Sequence, residues 1–546
     1  MNTRGLVAGL LWLVVGTGAW GTETGATHDG EAIYRRGTLV SGAALEGTRP
    51  RGGVGLKGAA AACINCHRRS GLGATEGAVT IPPVTGEYLF HARGATTEEP
   101  ALPYVENMRA NRDPYTDATL ARAIREGLDS QGRPLNDLMP RFALSDEDMA
   151  ALVKYLRSLG ARAAAGVTPT ELHFATVVTP EADPVQRRAM LDVLAQYVTD
   201  KNAFPFGPSP QMRASGRTMF AKSMYVANRH WQVYVWELTG PVSSWRTQLD
   251  QAFARQPVMA VLSGLGGRHW APVHDFCEQQ QVPCLFPNVE VPEVADGDFY
   301  SLYFSRGVLL EAELIARRLQ DTLRDRHGTV RQIYRADDSG EPAAQALAAA
   351  LRSSDIEVQD QALSAGKPGQ GVPAALRGAT KADVLVLWLR PADLAVLGVA
   401  PTAPAEVYMS GLMGGLERAP LPVSWRGRVR MTYPFDLPGR RVVRVDYALG
   451  WLSLRHIPVV AEQLQADTYL ACGVLADTLN HMADVSAPDY LVERIQEMLD
   501  HRILTGYYPR LTLANGQTVA SKGGYLMRFA GSSGAGIVPD GDWTVP

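Results

Sequence analysis

The 546-residue chain is too long for a single compact core, and a 46% hydrophobic content excludes a disordered protein. Its 53 Lys+Arg nearly balance 56 Asp+Glu, a formal charge of -3, so no global field argues for nucleic acid or an anionic membrane as the main partner. Two or three domains are expected.

Residues 1–21 read as a secretory signal peptide. Arg4 lies in a short basic start, an apolar run follows from Leu6 to Val15, and Ala19-Trp20-Gly21 is a small-x-small cleavage site. The alternative is an uncleaved anchor, but the run falls well short of the ~20 residues a spanning helix needs. No later segment is long and apolar enough to span. A periplasmic, oxidising location follows, and there each of the five cysteines needs its own account.

From residue 30 to 159, short helical pieces alternate with Gly- and Pro-rich loops, the pattern of a small all-α domain wrapped on a prosthetic group. Its strongest signal is Cys63-Ile64-Asn65-Cys66-His67, the C-x-x-C-H pattern of haem c attachment. Two thiols at this spacing reach the two haem vinyl groups, and the next residue lies under the iron as an imidazole ligand. A zinc knuckle or redox dithiol is the competing use of a bare C-x-x-C. For the sixth ligand the candidate is Met139, in the Pro-bounded loop Asn136-Asp137-Leu138-Met139-Pro140. Met149 falls inside a helix capped by Ser145 and Met108 in a polar stretch, both better suited to packing.

On these residues the segment resembles a class I c-type cytochrome, from Glu31-Ala32-Ile33-Tyr34 in a first helix to Tyr155-Leu156-Arg157-Ser158-Leu159 in a last one. The resemblance implies one covalently attached haem c, His67/Met139 ligation, and a proline packed beside the histidine, a role open to Pro82 or Pro83. With both axial positions filled, the implied work is outer-sphere electron transfer with a redox partner such as a periplasmic dehydrogenase or another cytochrome.

Gly160 to Thr170 is small and Pro/Gly-punctuated, and is assigned as a linker (160–170). Over residues 171–546 apolar strands alternate with amphipathic helices. Strands are expected near His173–Val178, Val233–Leu238, Val258–Ser263, Gln332–Tyr334, Asp383–Leu389 and Val407–Ser410, giving βαβ units and a mainly parallel sheet in two α/β lobes. Tyr508–Leu513, Asn515-Gly516 and Gly524–Phe529 read as a terminal hairpin.

Ordered segments, among them Ala260-Val261-Leu262-Ser263-Gly264-Leu265-Gly266-Gly267, Val282-Pro283-Cys284-Leu285-Phe286-Pro287, Tyr303-Phe304-Ser305-Arg306-Gly307 and Ala336-Asp337-Asp338-Ser339-Gly340, resemble the type I periplasmic binding proteins that serve ABC importers of branched-chain amino acids. Ser263-Gly264 is a small turn before a helix, able to offer N–H groups and a hydroxyl to an anion, or simply a tight turn. Ser410-Gly411 is a second such turn. Candidate ligand-binding residues are thus Ser263, Gly264, Trp270, Ser305 and Ser410, with Trp270 and Trp245 either walling a cleft or packed in a core. The acidic residue that would pair a ligand amino group is not identifiable. Cys277 and Cys284 flank a corner that a disulfide can span, and Cys472 lies in an apolar helical stretch without a role.

No nucleophile elbow, H-E-x-x-H or P-loop is present, so no enzyme activity is expected. Two functions remain. One is an electron-transfer cytochrome fused to a solute-binding or partner-docking module. The other is a solute-binding or sensory protein whose haem is a redox-sensing or structural appendage.

Overall fold

The computed structural model describes residues 21–76, 79–91, 112–160, 164–203, 229–323, 328–379, 382–399, 406–482, 487–530 and 536–546. Residues 1–20, which carry most of the expected signal peptide, and Met108 lie outside the described residues. The chain forms two compact units that meet in sequence near residue 162.

In the first unit, helix Asp146–Ser158 starts where the sequence places it, with the Ser145 hydroxyl accepting from Asp148 N at 3.1 Å. It packs on the N-terminal helix Gly21–Arg36 at a close crossing. A Cβ added at Gly30 would lie 2.1 Å from the Ala151 carbonyl oxygen, so only glycine fits there. The rings of Tyr34 and Tyr155 meet beside the crossing, and Met149 is buried in the same core.

Two loops in this unit share one hydrogen-bond pattern. After the N-terminal helix, Leu39 N bonds Ala43 O, Gly42 N bonds Leu39 O and Leu45 N bonds Gly37 O; after helix Asp117–Glu126, Asp129 N bonds Arg133 O, Gly132 N bonds Asp129 O and Leu135 N bonds Gly127 O. Each loop opens on a glycine at positive φ, Gly37 at 63° and Gly127 at 75°, the left-handed geometry that stops a helix.

The unit is not all-α. Gly55–Lys57, Glu46–Thr48 and Arg141–Phe142 form an antiparallel sheet, and Ala74–Glu76 pairs with Val79–Ile81. These strands are two or three residues long, too short for the alternation that reveals strands in sequence.

The second unit has two lobes. The first centres on strand Glu171–Val178, flanked in parallel by His230–Glu237, Ala260–Leu262 and Leu265–Gly266, with Cys284–Leu285, Ser301–Leu302 and Asn288–Val289 extending the sheet. The second lobe runs Ile356–Leu363, Gly328–Arg335, Val384–Trp388, Glu406–Met409 and Val429–Tyr433 in parallel. All six expected strands are present. Residues 164–170 join the first lobe, with His173 N bonding Gly166 O at 2.8 Å and Val167 bridged to Leu172, so only 161–163 remain of the expected linker, outside the described residues.

After Tyr433 the chain returns to the first lobe. Helix Pro438–Leu454 and the residue after it reach that lobe, Trp451 Nε1 and Arg455 Nε each donating to Asp200 at 2.9 Å. Helix Glu462–Asn480 follows, and Tyr300 meets Asp489 on helix Pro488–Asp500. The Asn515-Gly516 turn forms as expected, Gln517 N bonding Ala514 O and Gly516 at φ 79°, but the hairpin does not. Tyr525–Phe529 pairs instead with Val429–Tyr433 and Ile537–Pro539, because the second sheet offers it a long free edge. None of the described helices is long and apolar enough to cross a membrane.

Candidate functional site

Cys63, Cys66 and His67 sit on a single helical turn, Ile64–His67 with Cys63 at its N-cap, so the two sulfurs and the ring share one side of a rigid element. His67 Nδ1 lies 2.9 Å from the carbonyl oxygen of Pro82. With Nδ1–H donating there, the lone pair is left on Nε2, the form a metal requires. Burial lowers the His67 pKa and the Pro82 carbonyl opposes that, which keeps the ring neutral. Burial pushes the Cys63 thiol up to about 12. Of the two prolines left open by sequence, Pro82 is the one that touches the histidine.

Met139 is partly buried in a tightly tied loop. Its N–H donates to Asn136 O at 3.1 Å, Asn136 Oδ1 accepts from Leu138 N at 2.9 Å, and Arg141 Nη1 donates to Met139 O at 2.7 Å. Strand Arg141–Phe142 then anchors the loop on Glu46–Thr48. The paired thiols and the oriented ring on one turn fit a covalently attached haem, and the loop that carries Met139 is held by its backbone.

In the second unit Ser263 and Ser410 follow the C-terminal ends of strands Ala260–Leu262 and Glu406–Met409, the end at which open α/β sheets place ligands. Ser263 is fully buried at the first lobe's strand end, and its hydroxyl donates to Thr468 Oγ1 at 3.1 Å while accepting from Asn288 Nδ2 at 3.0 Å. Gly264 has no room for a Cβ, which would meet the Trp270 ring at 2.5 Å. Trp270 and Trp245 are both core residues, the Trp270 ring lying against Gly264 and Gly266. Ser305 is partly exposed and accepts from Gly307 N at 3.3 Å.

Ser410 is spent in the same way on the second lobe. It donates to the buried carboxylate of Glu311, which also accepts from Thr432 Oγ1 at 2.6 Å and Leu412 N at 2.9 Å. Burial drives Glu311 up to about 7 despite those donors. The anion that the second turn was expected to receive is supplied by the protein itself. Of the five candidates, Ser263, Gly264, Trp270 and Ser410 are buried and Ser305 is partly exposed.

Two charged residues that the sequence did not mark, Arg390 and Glu290, link the lobes. Arg390 Nη1 and Nη2 each donate to Glu290 at 2.6 Å, Arg390 also pairs with Asp338 at 2.6 Å, and Ser339 Oγ donates to Glu290 at 2.6 Å. Burial opposes the Asp338 charge, but Arg390 outweighs it and holds the carboxyl below its usual value. Asp467, on helix Glu462–Asn480, is buried with Oδ1 unpartnered, its other oxygen 3.1 Å from the Tyr508 hydroxyl, and burial raises it to about 7. It follows Gln463 by one helical turn, yet nothing in the sequence marks it as other than surface charge.

Cys277 and Cys284 are free thiols, buried and hydrogen-bonded to each other, so the expected disulfide is not formed. Helix Ala271–Gln280 lays Cys277 onto the strand carrying Cys284, inside the apolar core. Cys472 is likewise free and buried.

Residues 55–160 match the model of the Cytochrome c family, which implies haem c for that segment. Among solved structures, the second unit is similar in fold to a branched-chain amino acid ABC transporter protein from Thermus thermophilus with bound valine, at 10% identity and TM-score 0.50, covering 70% of this chain and 98% of that one. A fatty acid ABC transporter substrate-binding protein from Thermomonospora curvata is also similar, at 13% identity and TM-score 0.49, over 70% of this chain and 95% of that one. No curated protein matches the chain. The chain thus joins a segment that matches the cytochrome c model to an α/β region similar in fold to the ABC transporter protein with bound valine.

Proposed function

We propose that the protein is a periplasmic mono-haem c-type cytochrome that transfers electrons, fused to a module that binds a solute or docks a redox partner. The observation that carries this reading is the His67 ring, whose Nδ1 is held by Pro82 while Nε2 stays open, on the same turn as two thiols. Cys63 and Cys66 hold the porphyrin, and His67 and Met139 cap the iron. A bound haem supplies a one-electron couple, and thioether ligation favours the reduced state relative to bis-histidine. The protein's own part is to fix both axial donors: Pro82 sets the imidazole tautomer, and the Asn136 turn with Arg141 keeps the sulfur from swinging away.

A closed coordination shell passes electrons and leaves no position for a substrate. Full-length reduced protein is therefore expected to exchange electrons with another c-type cytochrome and to bind no carbon monoxide at neutral pH. Carbon monoxide binding would overturn the reading.

In the second module, the internally satisfied Ser263 and Ser410 turns argue against recognition of a ligand carboxylate there. The Arg390–Glu290–Asp338 bridge and the open oxygen of Asp467 are the groups left for a polar solute. The sensory reading differs in one measurable way. A solute whose binding depends on the redox state must shift the haem potential by linkage, so a redox titration with and without branched-chain amino acids separates coupled recognition from two independent modules.

A further inference from the structure

Helix Ala271–Gln280 carries His274 and Glu278 one turn apart on a single face, and the turn before strand Ser301–Leu302 brings Asp298 against them. One donor atom from each lies within 4.8 Å of the others. His274 Nε2 is 3.3 Å from Asp298 Oδ2, and adjacent ligands of a tetrahedral shell with bonds of about 2.0–2.1 Å lie about 3.3 Å apart.

The surroundings orient these donors. His274 Nδ1 lies 3.2 Å from the Tyr303 hydroxyl, a contact that fixes the ring with Nε2 facing Asp298. Glu278 is fixed by the N–H groups of Phe299, Tyr300 and Ser301 at 3.0, 2.9 and 2.8 Å, and Asp298 Oδ2 by Ala295 N at 2.5 Å. Beside them, the fully buried Ser301 hydroxyl has no hydrogen-bond partner. Ser301 stands two residues before Tyr303, so by strand alternation both side chains face this helix.

The charges do not balance. Glu278 and Asp298 gather at one imidazole with Glu293 in electrostatic reach of both His274 and Asp298, and the Arg246 guanidinium is turned to Asp250 and Gln279. Burial, with Asp275 and Asp298, holds the Glu293 carboxyl above its usual value, against the pull of His274. Several half-buried carboxylates about a single histidine are what a divalent cation would stabilise, and nitrogen with carboxylate oxygen is a donor set for zinc-like ions rather than for calcium.

We propose that His274, Glu278 and Asp298 form a site for a divalent transition-metal ion, zinc or a close equivalent, in the first lobe of the second unit. The ion locks helix Ala271–Gln280 to the loop leading into Ser301–Leu302. It uses none of the residues proposed to hold the haem.

The test uses haem-loaded full-length protein, stripped with a chelator and then equilibrium-dialysed against Zn2+, with zinc and iron counted per chain. One zinc per chain is expected, together with a rise in melting temperature. His274→Ala and the nearly isosteric Asp298→Asn should each lower zinc affinity at least 100-fold. Tyr303→Phe, which keeps the packing and removes the partner of Nδ1, should lower it roughly 10- to 100-fold. Cys277→Ser should leave binding unchanged. The proposal fails if wild-type protein binds no zinc, if Asp298→Asn binds it as wild type does, or if Cys277→Ser abolishes binding and so assigns the metal to the thiols.

Discussion

The haem-attachment turn and the two serine turns of the second unit look alike as short motifs in sequence, yet the fold uses them in opposite ways. At Cys63–His67 the protein satisfies one ring nitrogen through Pro82 and leaves the other open. At Ser263 and Ser410 it satisfies every hydroxyl from within, through Thr468, Asn288 and Glu311. A donor becomes a site only where the fold withholds its partner, and local sequence cannot show that withholding.

This contrast breaks most sharply at the thiols. Replacing Cys63 and Cys66 together with alanine should abolish covalent haem, read by haem staining of a denaturing gel, whereas haem that remains attached would remove the distinction.

The next largest effect is at Glu311, the carboxylate the protein supplies to its own turn. It titrates at about 7 in the fold and near 4.5 when unfolded. Between those values the folded chain holds a proton the unfolded chain has lost, so its contribution to stability is full below about 4.5 and lost as pH rises through 7. Chemical denaturation of Glu311→Gln against wild type should show a difference that changes by on the order of 3 kcal/mol across that window and is flat above it. Asp467 acts in the same direction. A difference independent of pH would mean that Glu311 is ionised throughout.

Gly30→Ala should destabilise the first unit by about 1–3 kcal/mol, because the added methyl meets Ala151 O, and the loss should appear in the melting of the haem absorption. Smallest is Ser263→Ala, about 1 kcal/mol of stability. It should leave the affinity for any solute unchanged by calorimetry, and a large affinity loss would restore Ser263 as a ligand contact.

Much of the architecture was legible because it rests on strict periodicity or spacing. C-x-x-C-H, the Ser145 cap and all six apolar strands follow from residues within a few positions of one another. The all-α expectation failed at strands such as Arg141–Phe142, whose pairing with Gly47 and Thr48 is set by residues far away in sequence. The hairpin failed for the same reason, since Tyr525–Phe529 takes the edge of Val429–Tyr433. Glu290, Arg390 and Asp467 were invisible because ordinary charged residues acquire meaning only when two lobes enclose them.

The most direct measurement is the iron coordination of the full-length protein, from its absorption spectrum and a count of haem per chain, alongside Met139→Ala. One covalent haem per chain is predicted, with a thioether–iron charge-transfer band in the oxidised wild type that Met139→Ala lacks. A colourless protein, zinc on the Cys63–Cys66 pair, or an unchanged spectrum in Met139→Ala would contradict it.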